Sequence, residues 1–586
     1  MSARVQNLLE ANFKKEKPMK NKTLHKVLEM AKPYKKTIII VNILSLIIGL
    51  IEMSKPYLIK IVIDEYLKQG IYQKGIITIG IIGGIYISLV IIGNIIDFIS
   101  STTTNMMGEN IIYTMRNRLY KYTQNAGIPF HDKTPAGKLF VRITNDVEDV
   151  SSLFKDVLTT FFKDVILIIV LAGVMIYFST KLSMLALIVI PLIILFSVTL
   201  TKLLNKIYDK SKKIKTNLNT FLAESIYGAK LIKIFNIQKE KQNECEKLTN
   251  DYRNSRLPGG IIEGLLPALM TILENLAIAI IVWACVNHWL GIKMEVGLIY
   301  VFITYIKQLF EPITRIIDNI EVVQEAFVSI NKIYDILDHK EYLEELEAGI
   351  ELKDVKGKIE FKNVWFSYDN KNWVLKNVSF EIEPGESIAL VGKTGCGKTT
   401  ITNLINRFYE IQQGEILLDG INIKNINKRS LRKNIGIILQ DPFIFARDIK
   451  NNIKLNSNIP DEDIEEAVKL SSAEEFVNSL PNGIDEIAKE RGASFSSGQK
   501  QLLAFARIFA HNPSIFILDE ATANIDTHTE SLIQKSIDII SKKKTSIFIA
   551  HRLATIVNVD KIIVLDAGEV QEVGNHIELL KQGRIL

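Results

Sequence analysis

The chain has 586 residues and a formal net charge of +6, so it is too long for one domain and too weakly basic for a nucleic-acid binder. Its three cysteines, Cys245, Cys285 and Cys396, lack the spacing of a zinc site and are interpreted as reduced thiols in or facing the cytosol. The surplus lysines lie between very apolar segments, which is typical of the cytosolic flanks of membrane helices.

Residues 1–36 are polar and lysine-rich, so we expect a cytosolic N-terminal segment. Apolar segments then follow, including uncharged runs of 22 residues at Gly75–Ile96 and 20 residues at Leu182–Thr201. A helix needs about 20 apolar residues to cross a membrane. The sequence therefore predicts an all-α transmembrane domain over residues 37–320, with six spans at 37–63, 75–97, 159–180, 182–203, 264–288 and 296–318.

Long polar stretches separate spans 2 and 3, and spans 4 and 5, and both have the mixed charged and apolar composition of helices. Helices of this length would extend each span ~40 Å beyond the membrane. Their tips, near 128–138 and 225–235, are predicted to contact a cytosolic domain. The alternative is that these stretches are ordinary soluble helices with no coupling role.

Four carboxylates lie in or near the predicted spans: Glu52, Asp97, Glu263 and Glu274. A charged side chain in the membrane is costly, so it normally faces a cavity or a partner. Glu52 and Glu274 are candidates for contacting a cationic substrate. A structural hydrogen bond between helices, or an interfacial position, explains them equally well.

A charged connector is predicted over 321–357, followed by an α/β domain over 358–586. The apolar strand Ser387–Val391 leads into a G-x-x-x-x-G-K-T loop and then a helix, the context that a phosphate-binding loop requires. Backbone N–H groups would cradle the phosphates of ATP, Lys398 would neutralise the β- and γ-phosphates, and the Thr399 hydroxyl would bind Mg²⁺. The predicted contacts in this loop are Gly392, Thr394, Gly395, Cys396, Gly397, Lys398, Thr399 and Thr400.

A second apolar strand, Ile515–Leu518, ends in two carboxylates. Asp519 suits the Mg²⁺ shell, and Glu520 could polarise the attacking water. His551 follows a third buried strand that should lie beside these carboxylates, and it is predicted to sense the γ-phosphate. Because the phosphate loop must meet ATP, and six spans return the chain to one side, both termini are expected in the cytosol. The abundance of Ile, Lys and Asn suggests a bacterial source, so the plasma membrane is the expected location.

The stretch from Phe495 to Gly498, followed by Gln499 to Arg507, resembles the signature helix of ABC ATPases. The whole chain from about residue 25 resembles a half-transporter of the ABC exporter type, in which six spans precede the nucleotide-binding domain. The resemblance implies that Tyr368 stacks on adenine and that Gln440 contacts Mg²⁺ and reports the γ-phosphate. It further implies a dimer in which ATP on the partner is contacted by Ser496, Ser497, Gly498, Gln499 and Asp526.

The chain departs from the family pattern at Ser497, where the usual signature has glycine, and in the loop Ala523–Asp526. A side chain at Ser497 stands where backbone should approach the γ-phosphate closely. An intact hydrolytic half beside an altered signature resembles one subunit of a heterodimeric exporter, although a homodimer that tolerates serine remains the alternative. The apolar spans favour a lipophilic drug or a lipid as substrate. An ATP-gated pore, a regulatory subunit and a homodimeric lipid flippase are the other readings.

Overall fold

The computed structural model describes residues 23–67, 73–287, 296–519, 526–549 and 557–582. The chain divides into two compact units. The first takes the residues up to Gln124 together with Ala136–His339, and the second takes Asn125–Pro135 together with the residues from Lys340 onward.

The first unit is built from helices, several of which are much longer than a membrane span. The α-helices between residues 35 and 337 are α1 Lys35–Ile61, α2 Gln73–Asn125, α3 Ile128–Lys133, α4 Ala136–Ile143, α5 Asn145–Ser152, α6 Thr159–Phe178, α7 Thr180–Leu187, α8 Val189–Tyr227, α9 Ala229–Ile234, α10 Gln238–Val286 and α11 Val296–Leu337. Helix α3 and its flanks belong to the second unit.

Six helical stretches in the described part of the chain are long and apolar enough to cross a membrane, at 23–66, 75–125, 136–178, 180–227, 238–286 and 296–316. Each overlaps one predicted span, which confirms the six-helix transmembrane domain. The first, third, fourth, fifth and sixth stretches share a buried apolar core that includes Met53, Leu171, Ile193, Ile281 and Phe302. The second stretch is different, because no residue from 75 to 92 is buried.

Two polar contacts connect α11 to earlier parts of the chain, one to α1 and one to the π-helical turn Val62–Leu67 that follows α1. The Tyr305 hydroxyl donates to the Met53 carbonyl oxygen at 2.7 Å. Asp64 accepts a hydrogen bond from the Gly297 N–H at 2.8 Å, and Lys60 lies 3.3 Å from the same carboxylate. Asp64 therefore satisfies a backbone donor at the start of α11 that has no partner within its own helix.

The second unit has two β-sheets and helices on both faces of the larger one. Four antiparallel strands have the order β2-β1-β4-β5, and six mainly parallel strands have the order β10-β9-β3-β8-β7-β6. The strands are β1 Ile359–Phe366, β2 Leu375–Ile382, β3 Ser387–Val391, β4 Gln413–Leu418, β5 Ile421–Asn422, β6 Ile435–Ile438, β7 Ile515–Asp519, β8 Thr545–Ile549, β9 Lys561–Asp566 and β10 Glu569–Gly574. The helices are α12 Lys398–Ile405, α13 Lys428–Lys433, α14 Ile449–Lys454, α15 Asp461–Leu470, α16 Glu474–Asn478, α17 Ser497–His511, α18 Thr527–Ser541 and α19 His576–Gln582.

Side chains on the central strands alternate between two buried cores, as the two-residue period of a strand requires. On β7, Ile515 and Ile517 pack in the core that contains α12 and the four-stranded sheet, whereas Phe516 and Leu518 pack in the core that contains α17 and α18. Strands covered on both faces are typical of parallel sheets. The α/β class predicted for this part of the chain is confirmed.

The boundary between the two units lies after His339. Helix α11 continues to Leu337, beyond the predicted end of the transmembrane domain at residue 320. The predicted connector, residues 321–357, therefore includes the last turns of a helix as well as the irregular segment before β1.

Candidate nucleotide-binding site

Three of the predicted nucleotide contacts, the phosphate loop, Asp519 and Gln440, follow neighbouring strands at the carboxyl edge of the six-stranded sheet. Strands β3, β8, β7 and β6 are parallel neighbours, and the register places Ile549 of β8 opposite both Leu390 of β3 and Asp519 of β7. The phosphate loop follows β3, Asp519 ends β7 and Gln440 lies two residues beyond β6. This edge of an open parallel sheet is where such folds bind ligands.

The backbone of the phosphate loop requires glycine. Gly392, Gly395 and Gly397 have φ values of 152°, 88° and 108°. A Cβ at Gly392 would lie 2.1 Å from the Leu565 carbonyl oxygen, and one at Gly397 would lie 2.6 Å from the Leu375 side chain. Only glycine adopts this path without strain, and the path delivers the chain to the N-terminus of α12, where backbone N–H groups favour an anion.

Lys398 is held against the loop by backbone carbonyl groups. Its side chain is buried, with the residue 6% exposed, and Nζ donates to the carbonyl oxygens of Gly392 at 2.7 Å and Lys393 at 3.2 Å. A buried ammonium group needs such acceptors. The charge is thereby fixed within the loop at the edge of the sheet where phosphate groups are expected.

The two threonines that follow Lys398 have different surroundings. Thr399 is exposed in the first turn of α12, whereas Thr400 is buried and its Oγ1 accepts a hydrogen bond from the Tyr368 hydroxyl at 3.2 Å. Thr399 is thus available to a ligand. Its hydroxyl and the Asp519 carboxylate are hard oxygen donors of the kind that Mg²⁺ prefers.

The described residues contain no cluster of three or more His, Cys, Asp or Glu side chains that could hold a metal by itself. Mg²⁺ usually binds one or two protein oxygens together with substrate phosphates. The donor set at this edge therefore fits Mg²⁺ that arrives with a nucleotide. Gln440, the third predicted Mg²⁺ contact, is exposed after β6.

Tyr368 lies beside the phosphate loop with one part of its ring free. The residue is 45% exposed, and its ring meets those of Phe366 and Tyr409 edge to face, each with centroids 4.8 Å apart. Its hydroxyl donates to Thr400, as described above. A tyrosine fixed in this way offers an aromatic surface on which a nucleotide base could stack.

The signature segment starts helix α17. Ser496 is the N-cap: its Oγ accepts from the Gln499 N–H at 3.2 Å, and Gln499 Oε1 accepts from the Ser496 N–H at 2.9 Å, which makes a capping box. Ser497 is exposed at the first helical position, whereas Gly498 is buried. The serine that replaces glycine is accommodated in this chain's own fold, so its effect would fall on whatever meets this helix end.

Asp526 is the N-cap of α18. Its Oδ1 accepts a hydrogen bond from the Thr529 N–H at 2.9 Å, and this bond lowers the pKa of the Asp526 carboxyl below its usual value.

Glu520 and His551, the predicted catalytic residues after β7 and β8, lie outside the described residues, as does most of the loop before Asp526. Their roles remain predictions.

Arg507 on α17 connects the signature helix to the segment that follows Gln440. It donates to the carbonyl oxygens of Asn452 at 2.7 Å and Phe443 at 2.8 Å, and to the Asn452 side chain at 3.1 Å. Burial lowers the pKa of the Arg507 guanidinium to about 10. No motif in the sequence indicates this role for Arg507, because its acceptors on Phe443 and Asn452 lie 64 and 55 positions away.

The membrane carboxylates divide into paired and unpaired groups. Glu52 forms an ion pair with Lys55 at 2.5 Å, and Glu263 forms one with Arg256 at 3.1 Å. Glu274 is half-buried and has no ion pair with any described residue. Of the two predicted substrate contacts, Glu274 is thus the one whose charge is not already compensated within the described part of the chain.

Comparison with known proteins agrees with this geometry. Residues 38–313 match the family described as "ABC transporter transmembrane region", and residues 375–523 match the family described as "ABC transporter". The chain is 35% identical over 561 residues to a putative ABC transporter ATP-binding protein, exp8, of Streptococcus pneumoniae, with 96% of this chain and 95% of that protein covered. It is 38% identical over 486 residues to YheH of Bacillus subtilis, a probable multidrug resistance ABC transporter ATP-binding/permease protein, with 81% and 71% covered.

The fold is also similar to a solved structure of a bacterial Atm1-family ABC exporter with ATP bound. The TM-score is 0.75 at 24% identity, covering 94% of this chain and 97% of that one. The chain belongs to the ABC transporter family. It combines the transmembrane region and the ATP-binding domain of an exporter in one polypeptide and is an ATP-hydrolysing, multi-pass membrane transporter.

Proposed function

We propose that the chain exports a lipophilic substrate, a drug or a lipid, across the plasma membrane as one half of an ATP-driven dimeric exporter. The observation that carries the proposal is the convergence of the phosphate loop, Asp519 and Gln440 on one sheet edge, in a chain that also has six span-length helices. Both termini and the ATP-binding domain would lie in the cytosol.

Each residue of the proposed site has a physical task. The loop N–H groups and Lys398 would hold the phosphates. Thr399, Gln440 and Asp519 would hold Mg²⁺, which would neutralise charge on the β- and γ-phosphates. Glu520 accepts the proton of the attacking water. His551 contacts the γ-phosphate from the end of the strand between β3 and β7.

Two exposed surfaces support the view that the chain works as a dimer. The first is the tip that contains α9, where large apolar side chains are open to solvent: Tyr227 is 91% exposed and Ile226 is 74% exposed, with Leu231, Ile234 and Phe235 also exposed. The second is the exposed N-terminus of α17. An apolar tip of this kind typically marks a protein interface, and an open helix N-terminus favours an anion.

Ser497 is the reason to propose that the partner is a different chain. The N-terminus of α17 would close over ATP bound to the partner, and the exposed serine side chain would stand between the helix and the γ-phosphate. This composite site would hydrolyse weakly, while Glu520 would work with a standard signature on the partner. A homodimer that tolerates serine is the competing arrangement.

The substrate class is inferred from the spans. They contain few charges, and the Glu52 charge is compensated by Lys55. An apolar cavity with few polar groups suits a lipophilic ligand. Glu274 would then select for a positive charge among such ligands. The relative YheH, described as a probable multidrug resistance transporter, supports a drug-like substrate.

The test is purification of the native complex, followed by ATPase and transport assays in proteoliposomes. Glu520→Gln should lower ATP turnover by about 10²–10⁴-fold, because it removes the general base. Glu415→Gln, which changes an exposed carboxylate on the four-stranded sheet, is the matched control and should be neutral. A second, different half-transporter in the complex would support the heterodimer.

The other outcomes are equally decisive. A fully active complex of this chain alone would establish the homodimer and remove the argument from Ser497. If Glu520→Gln hydrolyses ATP as before, Glu520 is not the base. If ATP opens a pore without net pumping, the chain is a gated channel and the export proposal fails.

A further inference from the structure

The aromatic cluster around Tyr368 reaches beyond the nucleotide site. Tyr409 lies at its far side: its ring is perpendicular to that of Tyr368, with centroids 4.8 Å apart, and 5.8 Å from that of Phe366. Tyr368 is also anchored to α12 through Thr400. A movement of the Tyr368 ring therefore changes the packing of Tyr409, since edge-to-face pairs depend on mutual orientation.

Tyr409 is also bound to the tip of the first long helical loop. Its hydroxyl donates a hydrogen bond to Asp132 on α3. Burial, and then the hydrogen bond and charge of Asp132, raise the pKa of the Tyr409 hydroxyl far above its ordinary value. The hydroxyl thus stays protonated and remains a donor at any physiological pH, and the bond is charge-assisted.

The tip has separate attachments to the same unit. The Gly127 N–H donates to the Tyr342 carbonyl oxygen at 2.8 Å, and the Glu344 N–H donates to the Asn125 carbonyl oxygen at 3.0 Å. The rings of Phe130 and Tyr342 are 5.8 Å apart. These contacts hold α3 in place without Tyr409. The Tyr409 hydroxyl is therefore not needed for attachment, and it joins the tip to the aromatic cluster specifically.

We propose that Tyr409 is a positioning residue. Through its contacts with Tyr368 and Asp132, it couples the stacking of adenine on the Tyr368 ring to the position of α3. The inference rests on the proposed function, in which Tyr368 stacks on the base of ATP. Stacking on adenine would fix the orientation of the Tyr368 ring, and the edge-to-face contact would then fix the orientation of Tyr409. The hydrogen bond from the Tyr409 hydroxyl would in turn fix the position of Asp132. In the chain, α3 directly follows α2 and precedes α4, which belong to the second and third span-length stretches.

Coupling of this kind is reciprocal, which makes it measurable from the nucleotide side. If Asp132 helps to fix the Tyr368 ring, then its loss must lower the affinity for ligands that carry adenine and leave the affinity for ligands without a base unchanged. Mg-ATP and Mg-tripolyphosphate provide this comparison, since both fill the phosphate loop and only one reaches Tyr368. A general loss of structure would weaken both.

The experiment measures dissociation constants for Mg-ATP and Mg-tripolyphosphate in the detergent-solubilised full complex, with the variants Tyr409→Phe, Asp132→Asn and the double variant. We expect each single variant to raise the dissociation constant of Mg-ATP about five-fold or more and to leave that of Mg-tripolyphosphate unchanged. The double variant should bind Mg-ATP no more weakly than either single variant, because the two substitutions remove the same hydrogen bond. Tyr342→Phe is the control, because it removes a hydroxyl that contacts Lys133 on the same tip.

The inference would be overturned by unchanged affinity for Mg-ATP in Asp132→Asn, by equal losses of affinity for both ligands, or by additive losses in the double variant. A Tyr342→Phe protein as defective as Tyr409→Phe would also overturn it, because the effect would then be general to the tip. Failure of Mg-ATP to bind the unmodified complex would instead refute the proposed function and is recognised before any variant is made.

Discussion

Glu344 offers a sharp test of how the segment before the ATP-binding domain is held. Its carboxylate, 13% exposed, accepts two parallel hydrogen bonds from Arg432 at 2.7 and 2.8 Å and one from Lys428 at 3.3 Å. Its own N–H donates to Asn125 beside α3. The perturbation is Glu344→Gln, which keeps the shape and removes the charge.

The expected loss follows from the number and kind of hydrogen bonds. Charge-assisted bonds contribute roughly 1.5–3 kcal/mol each and neutral ones about 0.5–1.5 kcal/mol. Glutamine can keep one neutral acceptor contact with Arg432 and loses the bidentate geometry. Arg432 retains the carbonyl oxygens of Asn406 and Arg407 and its stacking on Phe408, which limits the penalty of leaving it unpaired. The net loss should be about 2 kcal/mol.

Burial opposes ionisation of Glu344, but the hydrogen bonds and charges of Arg432 and Lys428 outweigh it, so the pKa of Glu344 lies below its ordinary value of 4.5. A carboxyl with a lowered pKa in the folded state stabilises the fold above its unfolded-state pKa, and that contribution is lost as the pH falls through the folded pKa. The difference between Glu344 and the glutamine variant should therefore be constant at neutral pH and shrink below about pH 4.5.

The assay is thermal unfolding of the purified transporter across pH, with hydrogen exchange of residues 125–135 and 340–347 as a local probe. A loss of about 2 kcal/mol lowers the Tm of a unit this size by about 4–8 °C. Glu345→Gln is the matched control, because Glu345 is exposed and has no ion pair with any described residue. Equal shifts for the two variants, or a Glu344→Gln effect independent of pH, would refute the reasoning.

Three further perturbations test other parts of the structure. Gly392→Ala should abolish ATP binding measured by equilibrium dialysis, since its Cβ would lie 2.1 Å from a carbonyl oxygen of β9, and retained affinity would contradict the loop geometry. Arg507→Met should destabilise the ATP-binding unit by about 1–3 kcal/mol in denaturant titration, because three acceptors lose a buried donor; an unchanged midpoint would count against this. Asp64→Ala should cost about 1 kcal/mol of thermal stability by leaving the Gly297 N–H uncapped, whereas Glu65→Ala, on the exposed neighbour, should not.

Much of the ATP-binding unit could be predicted because its signals are local. The apolar run at Ser387–Val391 predicts a strand with the bounds that β3 has, and β7 is one residue longer than the predicted strand Ile515–Leu518. The long helices are also interrupted within the predicted tips, at α3 with Pro129 and at Gly228 before α9. Proline and glycine mark such breaks by their backbone chemistry alone.

The contacts that sequence analysis missed join residues far apart in the chain. Asp132 and Tyr409 are 277 positions apart, and no periodicity relates them. Arg507 is recognised only once its backbone acceptors are placed by the fold. The Glu52–Lys55 pair is different, because a spacing of three residues on one helix puts the two charges on the same face. That spacing could have shown that the Glu52 charge is compensated.

The second unit is discontinuous in sequence, since residues 125–135 belong with those from Lys340 onward and some 200 residues of helix intervene. During synthesis the tip is made long before the body on which it packs, so the unit cannot be completed until the intervening membrane helices have been made. Closing a loop of this length costs only a few kcal/mol more in entropy than closing a short one, because the cost grows with the logarithm of length. An ATP-binding domain expressed from Lys340 alone would lack the strand-like contact at Ala126 and Leu343, and it would be an incomplete folding unit.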